Sequence, residues 1–553
     1  MRIVPNPSLL AWIGFLSRTP EPPNFRTSER TQPLAISPRF GQNLVLEHQT
    51  CLVVDFGGQY SQLIVRRCRE LGVYSEMVEW SKAGAKIQEL NPTAIILSGG
   101  PSSVLDANAP DIDPEVLSGL PVLGICYGQQ WMSNRLGGSV VKADDREYGK
   151  RHLDSVAPDS LLEGFENKVV WMSHGDQVQA IPEGYVVTAS TESCPIAAME
   201  NDSEKRYGVQ FHPEVTHTED GKELLRRFLF DKAGLAGDWS GASFIEEAIT
   251  RIQAEVGDGK VLCAVSGGVD SSVCAALLTK ALGDQVTCVF IDHGLLRMNE
   301  AEQVVEQFTN HFHPRLVLIK AKDQFLNALS GETDPETKRK IIGAEFVRCF
   351  EDHAEELKDC DFLAQGTLYP DVIESGSSTA AKIKTHHNVG GLPDWMRMKV
   401  IEPLKWLFKD EVREVGRLLG LPEEMVGREP FPGPGLGVRI LGEVTADRVR
   451  IVQEADWIFR AMILEAGLKD GIWQSYAALL DVKTVGVMGD ERTHQQPIVL
   501  RAVSSEDAMT AVPVAFPPAF LEAVASRIVN EVKGVNRVFY DFTSKPPATI
   551  EME

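Results

Sequence analysis

Cys126 lies in the pentapeptide Gly124-Ile-Cys-Tyr-Gly128, directly after a short apolar run. A strand that turns at once into a helix brings its backbone close to neighbouring chain, so small residues are needed on both sides of the turn. Such a turn projects the thiol from the top of a sheet, and the N-terminus of the following helix favours the thiolate. The backbone N–H of Tyr127 can then point at a developing oxyanion. The pattern predicts a nucleophilic cysteine; the alternative is a buried, inert thiol, which we expect for the other eight cysteines.

A base for this cysteine is available in QFHPEV, where His212 and Glu214 follow an apolar run. Alternate residues of an extended chain face the same way, so these two side chains can act together. A nucleophilic cysteine needs a base and a group that orients the base, and a histidine with a glutamate suits both roles. Gly99, in LSGGP after another apolar run, offers an unhindered N–H as a second oxyanion donor. The alternatives are a surface His–Glu pair and an ordinary glycine turn.

A second candidate site is SGGVDSS, residues 266–272, which follows the apolar run KVLCAV and precedes a helical stretch. Gly267 and Gly268 allow backbone N–H groups to converge on an anion, where the helix dipole adds to the field. Three serines of the motif add hydroxyl donors. There is no Gly-x-x-x-x-Gly-Lys-Ser/Thr pattern here, so this is not a lysine-containing phosphate loop. The strand–loop–helix context predicts a phosphate site rather than an ordinary turn.

The elements that must position these residues follow an alternating pattern. Apolar runs at 51–56 and 93–101 alternate with segments of helical periodicity such as 61–72, and the alternation resumes at 260–283 and 285–296. Buried strands that alternate with helices indicate a parallel, doubly wound sheet. The sequence therefore predicts an α/β fold with two doubly wound parallel-sheet domains, followed by a smaller α+β domain.

Changes in composition predict the domain boundaries. Residues 1–48 are rich in Pro, Arg and Ser, and we expect a disordered extension, with a targeting segment or an early start codon as alternatives. The first domain is predicted at 49–238, ending in the Gly-, Ala- and Ser-rich stretch around 233–242. The second is predicted at 239–428. The third, 429–553, begins near FPGPGLGVRILGE, whose prolines and glycines interrupt regular structure.

Composition also bears on the class of partner. The 553 residues carry 55 Lys and Arg against 78 Asp and Glu, a net charge of −23, so a nucleic-acid partner, which requires a basic face, is not expected. The nine cysteines form no C-x-x-C pair, which argues against a disulfide framework or a zinc site and fits a reducing setting. No apolar run approaches the roughly 18 residues of a membrane span. We therefore expect a cytoplasmic protein with small-molecule partners and no contact with membranes.

The segments DFGGQY, ILSGGPSS, GICYGQQ and VQFHPEVTHT resemble, in order and spacing, the class I glutamine amidotransferase family. The resemblance implies that a cysteine attacks the side-chain amide of L-glutamine, that a histidine acts as base with a glutamate to orient it, and that ammonia leaves. These three residues are Cys126, His212 and Glu214. The binding groups that it implies are the oxyanion amides of Gly99 and Tyr127, and the side chain of Gln130 for glutamine. One departure is a glycine at 58, where the family has serine.

SGGVDSS resembles the phosphate loop of the ATP pyrophosphatase superfamily, whose members split ATP between the α and β phosphates and adenylylate a substrate. The missing loop lysine fits this chemistry, because the γ-phosphate is not the group transferred. The resemblance implies that Asp270 approaches Mg²⁺, the cofactor expected with ATP. The ATP-binding residues that it implies are Ser266, Gly267, Gly268, Val269, Asp270, Ser271, Ser272, Ile291, Gly366 and Thr367.

Further segments across residues 50–553 resemble, in order, the glutamine-hydrolysing GMP synthetase family: HHNVGGLP, EPLKWLFKDEVR, FPGPGLGVR and KPPATIEME. The resemblance implies a ligase that converts XMP, ATP, L-glutamine and water into GMP, AMP, diphosphate and L-glutamate through adenylyl-XMP and transferred ammonia. It also implies that the third domain binds XMP and forms a homodimer. The XMP-binding residues that it implies are Lys545, Thr549, Ile550 and Glu551. The departures are Met552, where the family has Trp, and a short SGSSTAAKIKTHHN segment.

Two alternatives stay open on the sequence. Another ATP-pyrophosphatase-coupled amidotransferase, similar to NAD synthetase, would share the phosphate loop but lack the PGPGLG and PPATIE segments. A catalytically silent regulatory homologue would show a broken triad or loop, and neither is broken here.

Overall fold

The computed structural model describes residues 48–311, 315–353, 357–376, 398–505 and 510–553. Residues 1–47 of the predicted extension lie outside these ranges, as do HHNVGGLP and most of SGSSTAAKIKTHHN, and what was predicted for those segments stays a prediction. Four sheets organise the described residues, and the α/β class predicted from the alternating pattern is confirmed.

The first domain is built on an eight-stranded sheet and a separate two-stranded ribbon. Its strands are β1 (Thr50–Asp55), β2 (Tyr74–Glu79), β3 (Ala94–Leu97), β4 (Val122–Ile125), β5 (Ser139–His152), β6 (Ser155–Val156), β7 (Val169–Ala180), β8 (Val186–Ser190), β9 (Ala198–Asn201) and β10 (Arg206–Val209). The large sheet has the order β2-β1-β3-β4-β10-β9-β8-β6, and β5 pairs with β7 in the ribbon.

The large sheet is parallel where the sequence predicts it and antiparallel beyond. Strands β2, β1, β3, β4 and β10 run parallel, whereas β9, β8 and β6 add an antiparallel extension. Short connections link β8, β9 and β10 along the chain, and such links suit antiparallel neighbours, because a parallel pair needs a longer crossover. The antiparallel part therefore follows from loop length rather than from strand composition.

The helices of this domain are α1 (Ser61–Glu70), α2 (Ala83–Leu90), α3 (Tyr127–Arg135) and α4 (Gly221–Arg226), the last followed by a π-helical turn at Arg227–Lys232. The helix predicted over 61–72 ends two residues early, because Gly72 adopts a φ of +79°, which a right-handed helix does not allow. Helix α3 begins directly after Cys126, which itself follows β4, so the abrupt strand-to-helix turn expected around this cysteine is present.

The second domain holds a parallel five-stranded sheet. Its strands are β11 (Val261–Val265), β12 (Val286–Asp292), β13 (Arg315–Lys320), β14 (Phe362–Ala364) and β15 (Lys399–Ile401), in the order β13-β12-β11-β14-β15. Its helices are α5 (Gly241–Val256), α6 (Val269–Leu282), α7 (Glu300–His311), α8 (Lys322–Ala328), α9 (Pro335–Asp352), α10 (Tyr369–Gly376), α11 (Lys409–Leu418) and α12 (Glu423–Val426). The strand order reverses at β11, so a ligand crevice is expected at the carboxyl ends of β11 and β14.

The third domain packs two helices and a mixed sheet. It consists of α13 (Ala446–Glu465), β16 (Gln474–Leu479), β17 (Thr484–Met488), β18 (Glu491–Ser504), β19 (Val512–Pro513), α14 (Pro518–Glu531) and β20 (Val535–Tyr540). Strand β18 is the centre of the sheet, since it pairs with each of the other four strands. One hydrophobic cluster contains Val289 of β12 together with Leu436 and Ile498, so the second and third domains share part of their core.

None of the helices in the described ranges combines the length and the apolar character that a membrane crossing requires.

Candidate active site

The turn around Cys126 is strained, and glycines make it possible. Cys126 has φ +52° and ψ −104°, a conformation that residues other than glycine rarely adopt. A Cβ on Gly124 would lie 2.6 Å from the carbonyl carbon of Gly128, and a Cβ on Gly128 would lie 2.4 Å from the carbonyl oxygen of Leu97. The close approach of β3, β4 and α3 therefore requires glycine at both positions, which accounts for the Gly-x-Cys-x-Gly spacing.

His212 and Glu214 lie beside this cysteine. The Nδ1 atom of His212 is 2.7 Å from Oε1 of Glu214, and both side chains are buried. Burial lowers the pKa of His212, but the charge of Glu214 and hydrogen bonds to Cys126 and Glu214 outweigh it and raise the pKa well above its usual value. The arrangement has the order nucleophile, base and orienting carboxylate that a cysteine hydrolase requires.

The predicted oxyanion donors, Gly99 and Tyr127, both lie close to Cys126. A Cβ on Gly99 would be 3.0 Å from Cε1 of His212 and 3.7 Å from Cβ of Cys126, so a larger residue here would press against the base. Tyr127 is the first residue of α3, and an N–H in the first turn of a helix has no acceptor within the helix. Within the described residues, no intramolecular acceptor is found for the N–H of either residue.

A cavity of about 500 Å³ opens over these groups. Gln130 lines it, and its Nε2 atom donates to the carbonyl of Asp176 at 2.7 Å and to Oε1 of Gln210 at 3.1 Å. The amide of Gln130 is therefore fixed in orientation before any ligand binds. The cavity is lined by Gly99, Cys126, Asp176, His212 and Glu214 among others, and it has the size of a site for a small polar molecule.

We predict that Glu214→Gln lowers the glutamine-dependent rate roughly 100-fold or more, because the base loses the group that orients it. Without the carboxylate, burial is opposed only by the interaction with Cys126, so the pKa of His212 falls. His212 then loses its proton at lower pH, so the acid limb of the kcat/KM profile for glutamine should move to lower pH. Glu166→Gln, the same change at an exposed position, is the control. A profile that keeps its acid limb, or a rate equal to that of the control, would contradict the role of Glu214.

The SGGVDSS segment runs from the end of β11 into the first turn of α6, at the crevice where the strand order reverses. Gly268 is the residue before the helix. The hydroxyl of Ser266 is 3.2 Å from that of Ser271, and the hydroxyl of Ser272 donates to the carbonyl of Gly268 at 2.8 Å. These bonds brace the loop against the first turn of α6, where free N–H groups and the helix dipole favour an anion.

Gly267 sets the shape of the loop. It has a φ of +75°, and a Cβ there would lie 2.5 Å from Cγ2 of Val304 on α7. Its carbonyl accepts a hydrogen bond of 2.6 Å from Nη1 of Arg428, which also pairs with Glu300. Val269 is the first residue of α6 and is buried in the core, so its side chain anchors the loop and only its backbone is available to a ligand.

Asp270 has one engaged and one unengaged carboxylate oxygen. Its Oδ2 atom accepts from Nζ of Lys409 at 2.9 Å, whereas Oδ1 is buried with no hydrogen-bond partner among the described residues. A buried carboxylate oxygen without a hydrogen-bond partner lowers the stability of the fold unless a ligand supplies the missing partner. Because hard oxygen donors suit Mg²⁺, the Asp270 carboxylate fits the cation predicted to accompany ATP.

The other ATP residues predicted from the sequence lie around the same crevice. A Cβ on Gly366, in the turn after β14, would be 3.7 Å from the carbonyl carbon of Asp270, so this turn touches the loop. Thr367 donates its hydroxyl to Oε1 of Glu402 at 2.7 Å. Ile291 is buried near the carboxyl end of β12, beside β11. The structure thus gathers three separate segments at one point of the sheet.

The carboxyl-terminal tail is held by two fully buried arginines. Arg501 donates from Nε to the carbonyl of Ile550 and from Nη2 to that of Thr549, both at 2.9 Å. Arg439 pairs with Glu551, with Nε–Oε2 and Nη2–Oε1 distances of 3.1 and 3.0 Å. These bonds fix the tail against β18 and the PGPGLG turn. The tail is predictable from the sequence, but both arginines were missed, because their only signal is their presence in strongly apolar or glycine-rich segments.

The remaining tail residue, Lys545, is tied through its backbone. It exchanges hydrogen bonds of 2.8 and 3.0 Å with Ala511, beside β19. This places the start of the tail at the edge of the C-terminal sheet.

A further cation lies at the junction of the second and third domains. Arg297 is 5% exposed, and none of its guanidinium nitrogens has a hydrogen-bond partner among the described residues. The guanidinium stacks on Phe431, 4.5 Å from the ring centroid, and its nearest carboxylates, Asp456 and Glu429, are 3.8 and 4.0 Å away. Burial lowers the pKa of Arg297 to about 9. Unused donors on a buried cation make it a candidate anion-binding group that the sequence did not reveal.

One buried cluster in the described residues has the donor types of a metal site: Glu147, His174 and Cys194. Burial raises the pKa of Cys194 to about 12, so it is a thiol and not the thiolate that a soft metal needs. The guanidinium of Arg151 also lies 3.2 Å from Glu147. A neighbouring positive charge and a protonated thiol disfavour a cation, and we assign no metal ligand here.

Helix α1 touches the cysteine site at two points. The ring of Tyr60, just before the helix, packs edge-on against His212 with 5.3 Å between centroids. Further along, Nε of Arg67 donates to the carbonyl of Glu214 at 3.1 Å. Any displacement of α1 would therefore be felt by both the base and its orienting residue.

The last turn of α1 is clamped by the second domain. The buried guanidinium of Arg69 donates to Oε2 of Glu411 at 3.1 Å and to the carbonyl of Trp406. It lies between 4.6 and 5.5 Å from the centroids of four aromatic rings, those of Tyr74, Trp239, Tyr369 and Phe408. Phe408 precedes Lys409, the partner of Asp270. An unbroken series of contacts therefore joins the two candidate sites.

Three family models match the chain in sequence. Residues 52–232 match class-I glutamine amidotransferase, residues 259–310 match the tRNA methyl transferase HUP domain, and residues 461–552 match the GMP synthase C-terminal domain. The first match contains the Cys126 site, the second contains the SGGVDSS loop, and the third contains most of the tail.

Similar proteins match over nearly their whole length. The glutamine-hydrolysing GMP synthase of Carboxydothermus hydrogenoformans is 58% identical over 504 residues, 91% of this chain and 99% of that protein. That of Symbiobacterium thermophilum is 57% identical over 91% of this chain and 98% of its own. That of Heliobacterium modesticaldum is 54% identical over 92% and 99%. The family models cover the cysteine site, the phosphate loop and most of the tail in that order, and the relatives match over nearly their whole length. The chain therefore belongs to the glutamine-hydrolysing GMP synthase family.

Proposed function

We propose that this chain forms GMP from XMP, with ATP and L-glutamine as the other substrates. The observation that carries the proposal is the presence, in one chain, of a buried Cys–His–Glu arrangement and a phosphate loop with an open carboxylate oxygen. Either site alone would be compatible with a simpler hydrolase. Together they suit a reaction in which one site supplies ammonia and the other consumes it.

At the first site, we assign the hydrolysis of glutamine to Cys126, His212 and Glu214. His212 accepts the thiol proton, and the sulfur attacks the side-chain carbonyl carbon of glutamine. The oxyanion is stabilised by the N–H groups of Gly99 and Tyr127. The C–N bond breaks as His212 returns the proton to the nitrogen, which leaves as ammonia. Water then cleaves the thioester, giving glutamate and the free thiol.

At the second site, the SGGVDSS loop holds the phosphates of ATP. The O2 atom of XMP attacks the α-phosphate, pyrophosphate leaves, and adenylyl-XMP forms. Ammonia then attacks C2, and the C–O bond to AMP breaks to give GMP. We place Mg²⁺ at Asp270, where the bound ion would neutralise charge on the pyrophosphate. Lys409, paired with Asp270, adds a positive charge near the same phosphates.

XMP is assigned to the tail and the groups around it. Lys545, Thr549, Ile550 and Glu551 form the tail segment, which Arg439 and Arg501 hold in place. Both carboxylate oxygens of Glu551 are engaged, one of them also by Gln474. We therefore give Glu551 the role of fixing the tail rather than that of a free acceptor, and we assign the unused guanidinium donors of Arg297 to the anion of the nucleotide.

We predict that Glu551→Gln raises the KM for XMP roughly tenfold, because a buried charged hydrogen bond to Arg439 is lost. Glutamine hydrolysis by the first site should be unchanged, since the tail lies in the third domain. The measurement is steady-state kinetics with XMP varied at saturating ATP and ammonium. Glu522→Gln, an exposed change on α14, serves as the control. An unaltered KM for XMP would show that the tail does not take part in the nucleotide site.

Ammonia is expected to pass between the sites without mixing with solvent. Free ammonia at neutral pH is mostly protonated and then cannot attack C2. The clamp of Arg69 between α1 and the second domain keeps the two sites in one body. This contact supports direct transfer, which also explains the fusion of two activities in one chain.

A homodimer and a cytoplasmic location are also proposed. Several apolar side chains of the C-terminal sheet and the turn that follows it are exposed, and they suit burial against a second copy. These are Val485, Val487, Val512, Phe539 and Phe542. All nine cysteines are free, as a reducing compartment would require.

The test of the proposed function is an assay with XMP, ATP, Mg²⁺ and glutamine in which GMP, AMP, pyrophosphate and glutamate are followed together. We expect AMP, pyrophosphate and GMP in equal amounts, and none of the three when XMP is omitted. Release of ADP and phosphate instead would show cleavage at the γ-phosphate and would refute the assignment of the loop.

A further inference from the structure

The pocket wall beside Cys126 is formed by four consecutive residues of β7, numbers 173–176. The thiol of Cys126 lies 3.7 Å from the carbonyl of Ser173. At the other end of the wall, Gln130 donates to the carbonyl of Asp176 at 2.7 Å. A shift of this segment would therefore change the space available to the glutamine amide next to the thiol.

His174, in the middle of this wall, has an acceptor at each ring nitrogen. Nδ1 lies 3.0 Å from the carbonyl of Asp176, and Nε2 lies 3.0 Å from Oε2 of Glu147, the residue opposite it on β5. A carbonyl can only accept, and so can an ionised carboxylate. Both ring nitrogens must then carry hydrogen, and only the imidazolium form has hydrogen on both.

The partner, Glu147, is held as an anion although it is only 1% exposed. Its second oxygen accepts from the hydroxyl of Ser193, from the hydroxyl of Thr191 at 3.4 Å and from Nε of Arg151 at 3.2 Å. Burial favours the neutral acid, but the hydrogen bonds from His174 and Ser193 and the neighbouring positive charges hold the pKa of Glu147 at about 2. Four side chains therefore donate to one buried carboxylate, which the packing of the ribbon alone does not require.

We propose that Glu147 keeps His174 in its imidazolium form, and that this cation holds the 173–176 wall in the conformation that binds glutamine. The inference rests on the proposed function of the pocket as the glutamine site. Glu147 and His174 are positioning residues, because this role does not require either of them to touch the reacting atoms. The other charged or titratable groups that line the pocket or touch the pair are Tyr60, Cys126, Arg146, Tyr148, Arg151, Asp176, Cys194, His212 and Glu214.

The test is Glu147→Gln, with the KM for glutamine measured from pH 5.5 to 8.5 and divided by that of the wild-type enzyme at each pH. Glutamine keeps the shape but not the charge, so the imidazolium loses the anion that favours it over the neutral imidazole. We expect the KM ratio to be smallest at pH 5.5 and to rise roughly tenfold towards pH 8.5, as a charged hydrogen bond is lost. Synthesis from ammonium salts should match the wild type throughout.

Glu147→Asp is the matched variant, because it keeps the carboxylate. Its KM ratio should not vary with pH. A ratio for Glu147→Gln that is independent of pH, or the same rise in Glu147→Asp, would overturn the proposal. If Glu147→Gln does not fold, His174→Gln is the variant to measure. Its side chain is uncharged at every pH, so the KM for glutamine should be raised equally across the range. An unchanged KM in His174→Gln would overturn the proposal. Failure of the wild-type enzyme to form GMP would refute the proposed function. This outcome is distinguishable, because it does not depend on the Glu147 variants.

Discussion

Replacing Cys126 with alanine should abolish GMP formation from glutamine while synthesis from ammonium salts proceeds at the wild-type rate. Loss of a catalytic nucleophile costs at least about 1,000-fold, since the remaining members of such a unit cannot act without it. The second site should not be affected, because Cys126 lies in the first domain and alanine fits a position whose side chain is already small. The measurement is GMP formation with glutamine or with ammonium chloride as the nitrogen source.

Cys360→Ala is the control for this substitution, because Cys360 is a partly exposed cysteine in the second domain, away from the pocket. It should leave both activities intact. Loss of both activities in Cys126→Ala would contradict two separable sites, and full glutamine-dependent activity would exclude Cys126 as the nucleophile.

Replacing Asp270 with asparagine should lower the rate of GMP synthesis roughly 100-fold or more with either nitrogen source. The substitution keeps the shape of the side chain but removes the charge that Lys409 and a cation require. Adenylylation of XMP precedes amination, so added ammonia cannot bypass the defect. Glutamine hydrolysis without XMP and ATP should persist, because the triad is untouched.

Asp284→Asn, an exposed change at the other end of α6, is the control for Asp270→Asn and should behave as the wild type. The decisive measurement is pyrophosphate release in the presence of ammonium chloride. Ammonia-dependent turnover in Asp270→Asn that equals that of the control would refute the role of Asp270 at the ATP site.

The parts of the site that the sequence could predict are those encoded by short spacing. The Gly-x-Cys-x-Gly turn is predictable because β4 and α3 are contiguous and the glycines answer a local steric demand. His212 and Glu214 are two residues apart, so an extended chain sets their relation. The family and the α/β class, both predicted from such motifs, are confirmed by the relatives and the sheet order. The roles of individual site residues remain predictions.

The parts that escaped prediction depend on residues that are distant in the chain. Lys409 meets Asp270 across 139 residues, and Arg439 meets Glu551 across 112. Charged residues of this kind resemble solvated surface residues in a sequence, and tertiary packing alone brings them together. The pairing of Glu147 with His174 was hidden for another reason. The register of β5 and β7 shifts just before Glu147, so strict alternation does not tell which side chains meet.

We propose that the nitrogen released at Cys126 is the nitrogen that reaches C2 of XMP. This transfer is tested most directly by supplying glutamine labelled with ¹⁵N in its side-chain amide together with an excess of unlabelled ammonium chloride, and measuring the ¹⁵N content of GMP. We expect GMP far richer in ¹⁵N than the mixed ammonia of the solution. GMP with the isotope content of the bulk ammonia would contradict the proposal, since the two sites would then act as independent enzymes.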